Sequence, residues 1–381
     1  MNFDLNDMQS MLADSIEKYI SNEYDFESRQ KYAASKQGYS TKVWQTFAEL
    51  GWTVVPFSEE DGGFDGGAID LMVVMERFGR GLLVEPYLAN IVLAGGILKR
   101  LASTQQKERW LYPVIAGEKQ AALAHVEPQS RYDLANIRCT AEQRDDGWLL
   151  NGAKSYVLNA RNANVLVVAA RTSAGTSSEQ GISLFVIDPA STGIAITDYA
   201  TVDGHQAGDI SLLNVSAPKD ALLGEPGNGF AALDATIDDA ILAVCAEAVG
   251  IMQVLTDKTV EYSKSRVQFG VPIGSFQALQ HRMVDMLTGV EQARSLLMWA
   301  TMVNANGSED AKRAVSSIKY MVGTTGRKIG EEAVQIHGGM GVTWELDVAH
   351  YFKRLITIGQ IFGNSDWHLD KLADCGPARS R

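Results

Sequence analysis

Residues 266–286 read RVQFGVPIGSFQALQHRMVDM, and residues 335–355 read QIHGGMGVTWELDVAHYFKRL. The first stretch leaves a helical pattern near Arg266, turns over Gly270 and Pro272, and offers Ser275 as the cap of a following helix. The second breaks a helix at Gly338, Gly339 and Gly341. Clustered glycines free backbone N–H groups for an anion and let a ligand approach the main chain, but they also simply terminate helices. On spacing alone each stretch can be just a connection between bundle helices, and His337 a satisfied core or loop histidine.

Around these stretches the helical period runs through four long segments, 227–265, 275–305, 308–337 and 347–374. Helices of that length without heptad charges form an antiparallel bundle, so residues 223–381 are expected to be a four-helix domain. Residues 1–118 also keep three- and four-residue apolar spacing, as in DMQSMLADSIEKYI and AIDLMVVMERFGRGL, and predict an N-terminal helical domain. Between them, over 119–222, the period shifts to two in DGWLLNGAKSYVLN, NVLVVAART and GISLFVID, which predicts a small barrel or sandwich of short strands. The class is α+β, with the three parts packed as one body.

The 381 residues carry 34 Lys and Arg against 46 Asp and Glu, a formal net charge of -12. That balance opposes a polyanion bound over a broad surface, so nucleic acid is not an expected partner, while a ligand with a few phosphates remains compatible. Cys139, Cys245 and Cys375 show no CxxC spacing, which suits a reducing compartment and no metal site. The acidic N-terminal stretch has neither the basic region nor the apolar run of a targeting signal, and no segment approaches the ~20 apolar residues of a membrane span. The expected location is the cytoplasm.

Glu247 is the only charge in the thirteen residues AILAVCAEAVGIM. A carboxylate in such a helix loses hydration, which raises its pKa and improves it as a proton acceptor; the plainer reading is a Glu bonded to a neighbouring helix. Asp238 and Asp239 precede it in ATIDDAI, where acids also suit the helix dipole. Asp238 is the candidate for substrate binding. No Ser-His-Asp order, P-loop, HExxH or βαβ glycine fingerprint appears, so hydrolase, kinase-like and Rossmann readings lose support.

Together, 266–286 and 335–355 resemble the two C-terminal signatures of the acyl-CoA dehydrogenase family, and the order of helical, β and four-helix domains is similar to that family's along the whole chain. The resemblance implies oxidation of an acyl-CoA thioester to the trans-2-enoyl-CoA: a carboxylate takes the α-proton and the β-hydrogen leaves as hydride to the N5 atom of FAD. It implies that Arg266, Gln268 and Phe269 meet the adenine and pyrophosphate side of FAD, with Phe276 and Gln277 nearby. It also implies that Gln335, Ile336, His337, Gly338 and Gly339 approach the pyrophosphate across a dimer interface, within a homo- or hetero-tetramer that passes electrons to an electron-transfer flavoprotein.

Two departures stand out. The family's base positions are Gly363, in the loop after Gly359-Gln360-Ile361-Phe362, and Ala240, so both lack a carboxylate. Glu247, two turns beyond Ala240 on the same helical face, is the expected catalytic base, with Asp239 and Asp366 as alternatives. The flavin loop and flavin-flanking strand read Val126-Glu127-Pro128-Gln-Ser-Arg131-Tyr132-Asp133 and Tyr156-Val157-Leu158, each losing a threonine hydroxyl. In these respects the chain resembles the small subunits of heteromeric acyl-CoA dehydrogenases of the pimeloyl-CoA and steroid side-chain type. A non-catalytic partner subunit and a flavin-dependent monooxygenase on the same fold are the competing readings.

Overall fold

The chain is described here by a computed structural model covering residues 5–173 and 175–376. Among these residues the α-helices are α1 (Asp7–Glu23), α2 (Phe26–Ala34), α3 (Thr41–Glu49), α4 (Ala68–Gly81), α5 (Gly95–Leu101), α6 (Thr104–Gln106), α7 (Tyr112–Ile115), α8 (Phe230–Ser265), α9 (Gln277–Ala305), α10 (Ala311–His337), α11 (Val348–Ile358) and α12 (Ser365–Asp374). The strands are β1 (Ala121–Ala124), β2 (Thr140–Arg144), β3 (Gly147–Leu158), β4 (Val165–Arg171), β5 (Ile182–Ile187), β6 (Ile194–Ala200), β7 (Gln206–Pro218), β8 (Leu222–Leu223) and a small hairpin, β9 (Val267–Gln268) with β10 (Val271–Pro272). Tertiary contacts group the chain into two compact units, one drawn from Met1–Arg29, Gly67–Leu83 and Ile241–Arg381, the other from Gln30–Gly66 and Val84–Ala240.

The first unit is helical. Its core comes from apolar positions three and four apart: Met283, Met286, Val290, Ala293, Leu297 and Ala300 on α9, and Ala314, Ile318, Val322, Ile329 and Ala333 on α10. Each fully buried Val, Leu, Ile or Met adds roughly 1.5–3 kcal/mol relative to exposure. Two glycines set the approach of α4 to α8: a Cβ on Gly79 would lie 2.0 Å from the Glu247 carbonyl oxygen, and one on Gly250 would lie 2.0 Å from that of Glu76. The backbones touch there, so any side chain at either position would push the helices apart.

The expected fourth bundle helix is two helices. The chain leaves α11 at Ile358 and restarts α12 at Ser365, with Phe362 at φ 58° and Gly363 at φ 114° between them. Asn364 caps the restart by accepting from the Trp367 N–H at 3.0 Å. Helix α8 also corrects the sequence reading: by length and composition it is apolar enough to cross a membrane, but 83% of that apolar window is buried inside the fold. Its hydrophobicity serves the core.

The second unit centres on one eight-stranded sheet in the order β6-β7-β3-β2-β4-β5-β8, with β1 pairing in parallel with β4. Every residue of β4 and β5 is buried, which fits their sequences, apolar except for Arg171 and Ser183. Strand β3 is irregular: its pairing with β7 shifts register between Lys154 and Val157, and Tyr156 in that gap has φ 53°. Such a bulge re-aims the side chains on either side of it.

Candidate functional site

The two signature stretches meet in the helical unit. Tyr262, one turn before Arg266, stacks on the His337 ring at 4.4 Å between centroids, and its hydroxyl donates to the His337 carbonyl at 3.4 Å. The β9–β10 hairpin then projects outward: its turn residues Phe269 and Gly270 both have positive φ, 55° and 81°, as tight hairpin turns require. That conformation is uncommon for a bulky aromatic, and it leaves Phe269 93% exposed, edge-on to the partly exposed Phe276 at 6.2 Å. Arg266, Gln268 and Gln277 are exposed beside it.

On the α10 side the expected residues divide. Gln335, Gly338 and Gly339 are exposed, and a Cβ at either glycine would meet nothing within 4 Å. Ile336 and His337 turn inward; His337 is satisfied through Nδ1 with the Ala333 carbonyl at 2.8 Å, and burial pulls its pKa below the ordinary value. Their side chains are buried, so what these two residues present at the surface is backbone. The FAD implied by the resemblance fits what remains: a guanidinium, exposed amides, open glycine backbone and presented aromatic faces suit a pyrophosphate and an adenine.

Glu247 is buried, but it is not idle. Its two carboxylate oxygens accept from Arg354 of α11, Nε at 2.6 Å and a terminal nitrogen at 2.7 Å. This is the bidentate geometry of an ion pair between neighbouring helices, so the carboxylate that the sequence offers as a proton acceptor is bonded through both oxygens to Arg354. The one local sign of Arg354 in the sequence is its place on the apolar stripe of α11 with Tyr351, Leu355 and Ile358. Of the alternative acids, Asp239 pairs with Arg100 at 2.5 Å, and Asp366 lies exposed in the first turn of α12. Asp238 is half-buried on α8 and belongs to the second unit.

The loop at Phe362 and Gly363 is held by two side chains. The fully buried Lys319 donates to the Gly363 carbonyl at 2.7 Å, and His368 Nε2 bonds the Phe362 carbonyl at 3.0 Å. A Cβ on Gly363 would sit 2.4 Å from His368 Nε2 and 2.6 Å from Trp367 Cδ1. Burial lowers the Lys319 pKa to about 8, with the Cys245 thiol beside it acting in the opposite sense.

In the second unit, Glu127 and Lys154 form an ion pair at 2.6 Å with side chains 2% and 0% exposed. Burial alone would raise the Glu127 pKa; the charge and hydrogen bond of Lys154, with bonds from Gln129 and the Arg138 N–H, hold it below the ordinary carboxylate value. Val126 and Leu158, where the resemblance expects threonine hydroxyls, carry no side-chain hydrogen-bonding group.

Comparison with known proteins follows the same segments. The N-terminal, middle and C-terminal domain descriptions of acyl-CoA dehydrogenases match residues 6–118, 122–215 and 227–375. A probable acyl-CoA dehydrogenase of Bacillus subtilis is 28% identical, over 94% of this chain and 96% of its own. The caffeyl-CoA reductase-Etf complex subunit CarC of Acetobacterium woodii is 32% identical, over 83% of this chain and 85% of its own. Among solved structures, PigA with FAD and proline is 27% identical with a TM-score of 0.91, covering 98% of both chains. A G363A variant of the steroid ACAD Tcur3481-Tcur3483 is 27% identical with a TM-score of 0.86, covering 97% of both.

Proposed function

This chain belongs to the acyl-CoA dehydrogenase family, and from that premise we propose that it takes part in FAD-dependent α,β-dehydrogenation of an acyl-CoA thioester as one subunit of a heteromeric enzyme whose partner chain supplies the catalytic base. One observation carries the reading. By the resemblance, Gly363 and Ala240 fall at the family's base positions, and Glu247, the remaining buried acid on that helix, is bonded to Arg354. A proton acceptor needs a carboxylate within hydrogen-bond reach of the α-carbon's proton, and in this reading that carboxylate comes from another chain.

Bound FAD supplies the two-electron acceptor that takes the β-hydrogen as hydride. This chain contributes Arg266, Gln268 and Gln277 as polar partners for the cofactor's pyrophosphate and adenine side, Phe269 and Phe276 as ring faces, and the backbone at Gly338 and Gly339, with Gln335 beside it. Asp238 stays the candidate on the substrate side. A solved neighbour named for two components supports the two-chain reading, and a relative named as part of an Etf complex supports an electron-transfer flavoprotein as the acceptor. We place the assembly, a tetramer, in the cytoplasm, where the free thiols Cys139, Cys245 and Cys375 suit a reducing environment.

The test is the visible absorbance of the purified protein, alone and co-purified with a candidate partner chain, before and after anaerobic addition of medium-chain or steroid acyl-CoA. Flavin bands that bleach only in the two-chain preparation are the expected result. A lone chain that is yellow and bleaches at full rate would make it self-sufficient and sink the shared-site reading.

A further inference from the structure

Two stretches of the second unit, the loop Val126–Asp133 and the strand segment Tyr156–Leu158, are those that the flavin reading assigns to the isoalloxazine side, and a buried network joins them. Glu127 Oε1 accepts from Lys154 Nζ at 2.6 Å and from the Cys139 N–H at 3.0 Å. Its Oε2 accepts from the Arg138 N–H at 2.8 Å and from Gln129 Nε2 at 2.7 Å. One carboxylate thus folds the loop back on its own far end while Lys154 ties it to β3.

The connection is reinforced on both sides. The Ser155 N–H donates to the Val126 carbonyl at 2.9 Å, and the Tyr156 N–H donates to Asp209 at 3.0 Å, holding Tyr156 at positive φ. Ser130 Oγ accepts from the Glu127 N–H at 2.9 Å. Buried Arg171 grips the loop's return, Nε to the Ile137 carbonyl at 2.9 Å and a terminal nitrogen to that of Ala135 at 2.6 Å.

We propose that Glu127 and Lys154 are positioning residues for the flavin: their ion pair sets the loop at Val126–Asp133 and the bulge at Tyr156 in the one mutual geometry that presents backbone donors to the ring where the side-chain hydroxyls are lost. The role rests on the flavin reading above. Stability alone does not account for the pair, because well-packed apolar residues of similar volume generally hold a buried contact as firmly as an ion pair does. What an apolar pair cannot do is orient the Gln129 amide and the backbone of Arg138 and Cys139 through three directed bonds.

That difference defines the experiment. In the chain assembled with its partner, the double variant Glu127→Leu with Lys154→Met is expected to melt close to the wild type. Its FAD dissociation constant, read by flavin fluorescence, is expected to rise about tenfold, the equivalent of ~1.4 kcal/mol, and its flavin absorbance band to change shape. Lys154→Arg, which keeps the charge, is expected to recover part of the affinity. If the double variant does not fold, Glu127→Gln decides: weaker FAD binding at unchanged apoprotein melting supports the role, and unchanged binding overturns it. A folded double variant with wild-type affinity and spectrum overturns the positioning role alone, whereas wild-type protein that takes up no FAD, alone or with its partner, overturns the flavin reading and this role with it.

Discussion

Glu127 and Glu247 are both buried carboxylates bonded to a buried cation, but they solve the problem of an interior charge differently. Glu247 meets a planar guanidinium that fills both oxygens from one side chain, joining α8 to α11. Glu127 meets a point charge, Lys154, and completes itself with loop backbone and an amide. The first is a helix-to-helix fastening; the second shapes a loop. A lone acid in an apolar stretch is thus no sign of a base until its partner is known, because interior charge requires pairing before it permits chemistry.

The contrast is most strongly tested at Arg354. Arg354→Met leaves Glu247 charged and unpaired in the interior, and urea unfolding is expected to show a loss of ~3–5 kcal/mol, with most of it recovered in the Arg354→Met, Glu247→Leu double variant. A single variant as stable as the wild type would remove the fastening role. Next comes Gly363→Glu, which puts a carboxylate back at the family's loop position: the collision with His368 and Trp367 is expected to cost ~1–3 kcal/mol without restoring flavin reduction in the lone chain.

A smaller effect separates the neighbourhoods by pH. Burial, with the Lys154 charge beside it, lowers the His125 pKa to about 4, below the ~6.5 of an unfolded histidine. As pH falls from 6.5 towards 4 the unfolded chain takes the proton first, so stability present above 6.5 is lost by up to ~1.4 kcal/mol per pH unit through this group. His125→Leu is expected to flatten the slope, and an unchanged slope would place the pH dependence elsewhere. The smallest change is Phe269→Ala, expected within ~0.5 kcal/mol in stability because the ring is exposed, yet measurably weaker in FAD uptake.

Much of this architecture is legible in the sequence because burial follows period. The 3.6-residue pattern marks α1, α4, α9 and α10, and the dense apolar runs mark β4 and β5. Polar elements escape that logic: β2, Thr140–Arg144, is mostly exposed, and α2, Phe26–Ala34, buries only Arg29 along its length. The break at Gly359–Asn364 hides in a helical pattern because the period resumes in α12 after the turn. In the candidate site, exposed Arg266, Gln268 and Phe269 follow from the turn at Gly270, while the partners of Glu247 and Glu127 are distant in sequence. Both left a local trace: Arg354 on the apolar stripe of α11, and Lys154 on the inward face of β3 with Trp148 and Leu150.

The most direct measurement is stopped-flow reduction of the flavin by acyl-CoA in the assembled enzyme carrying Glu247→Gln. With the base supplied by the partner chain, flavin reduction per folded site is expected to stay near the wild-type rate while unfolding stability drops. A fall in that rate of ~100-fold or more, with the protein folded and loaded with FAD, would make Glu247 the proton acceptor and contradict the account.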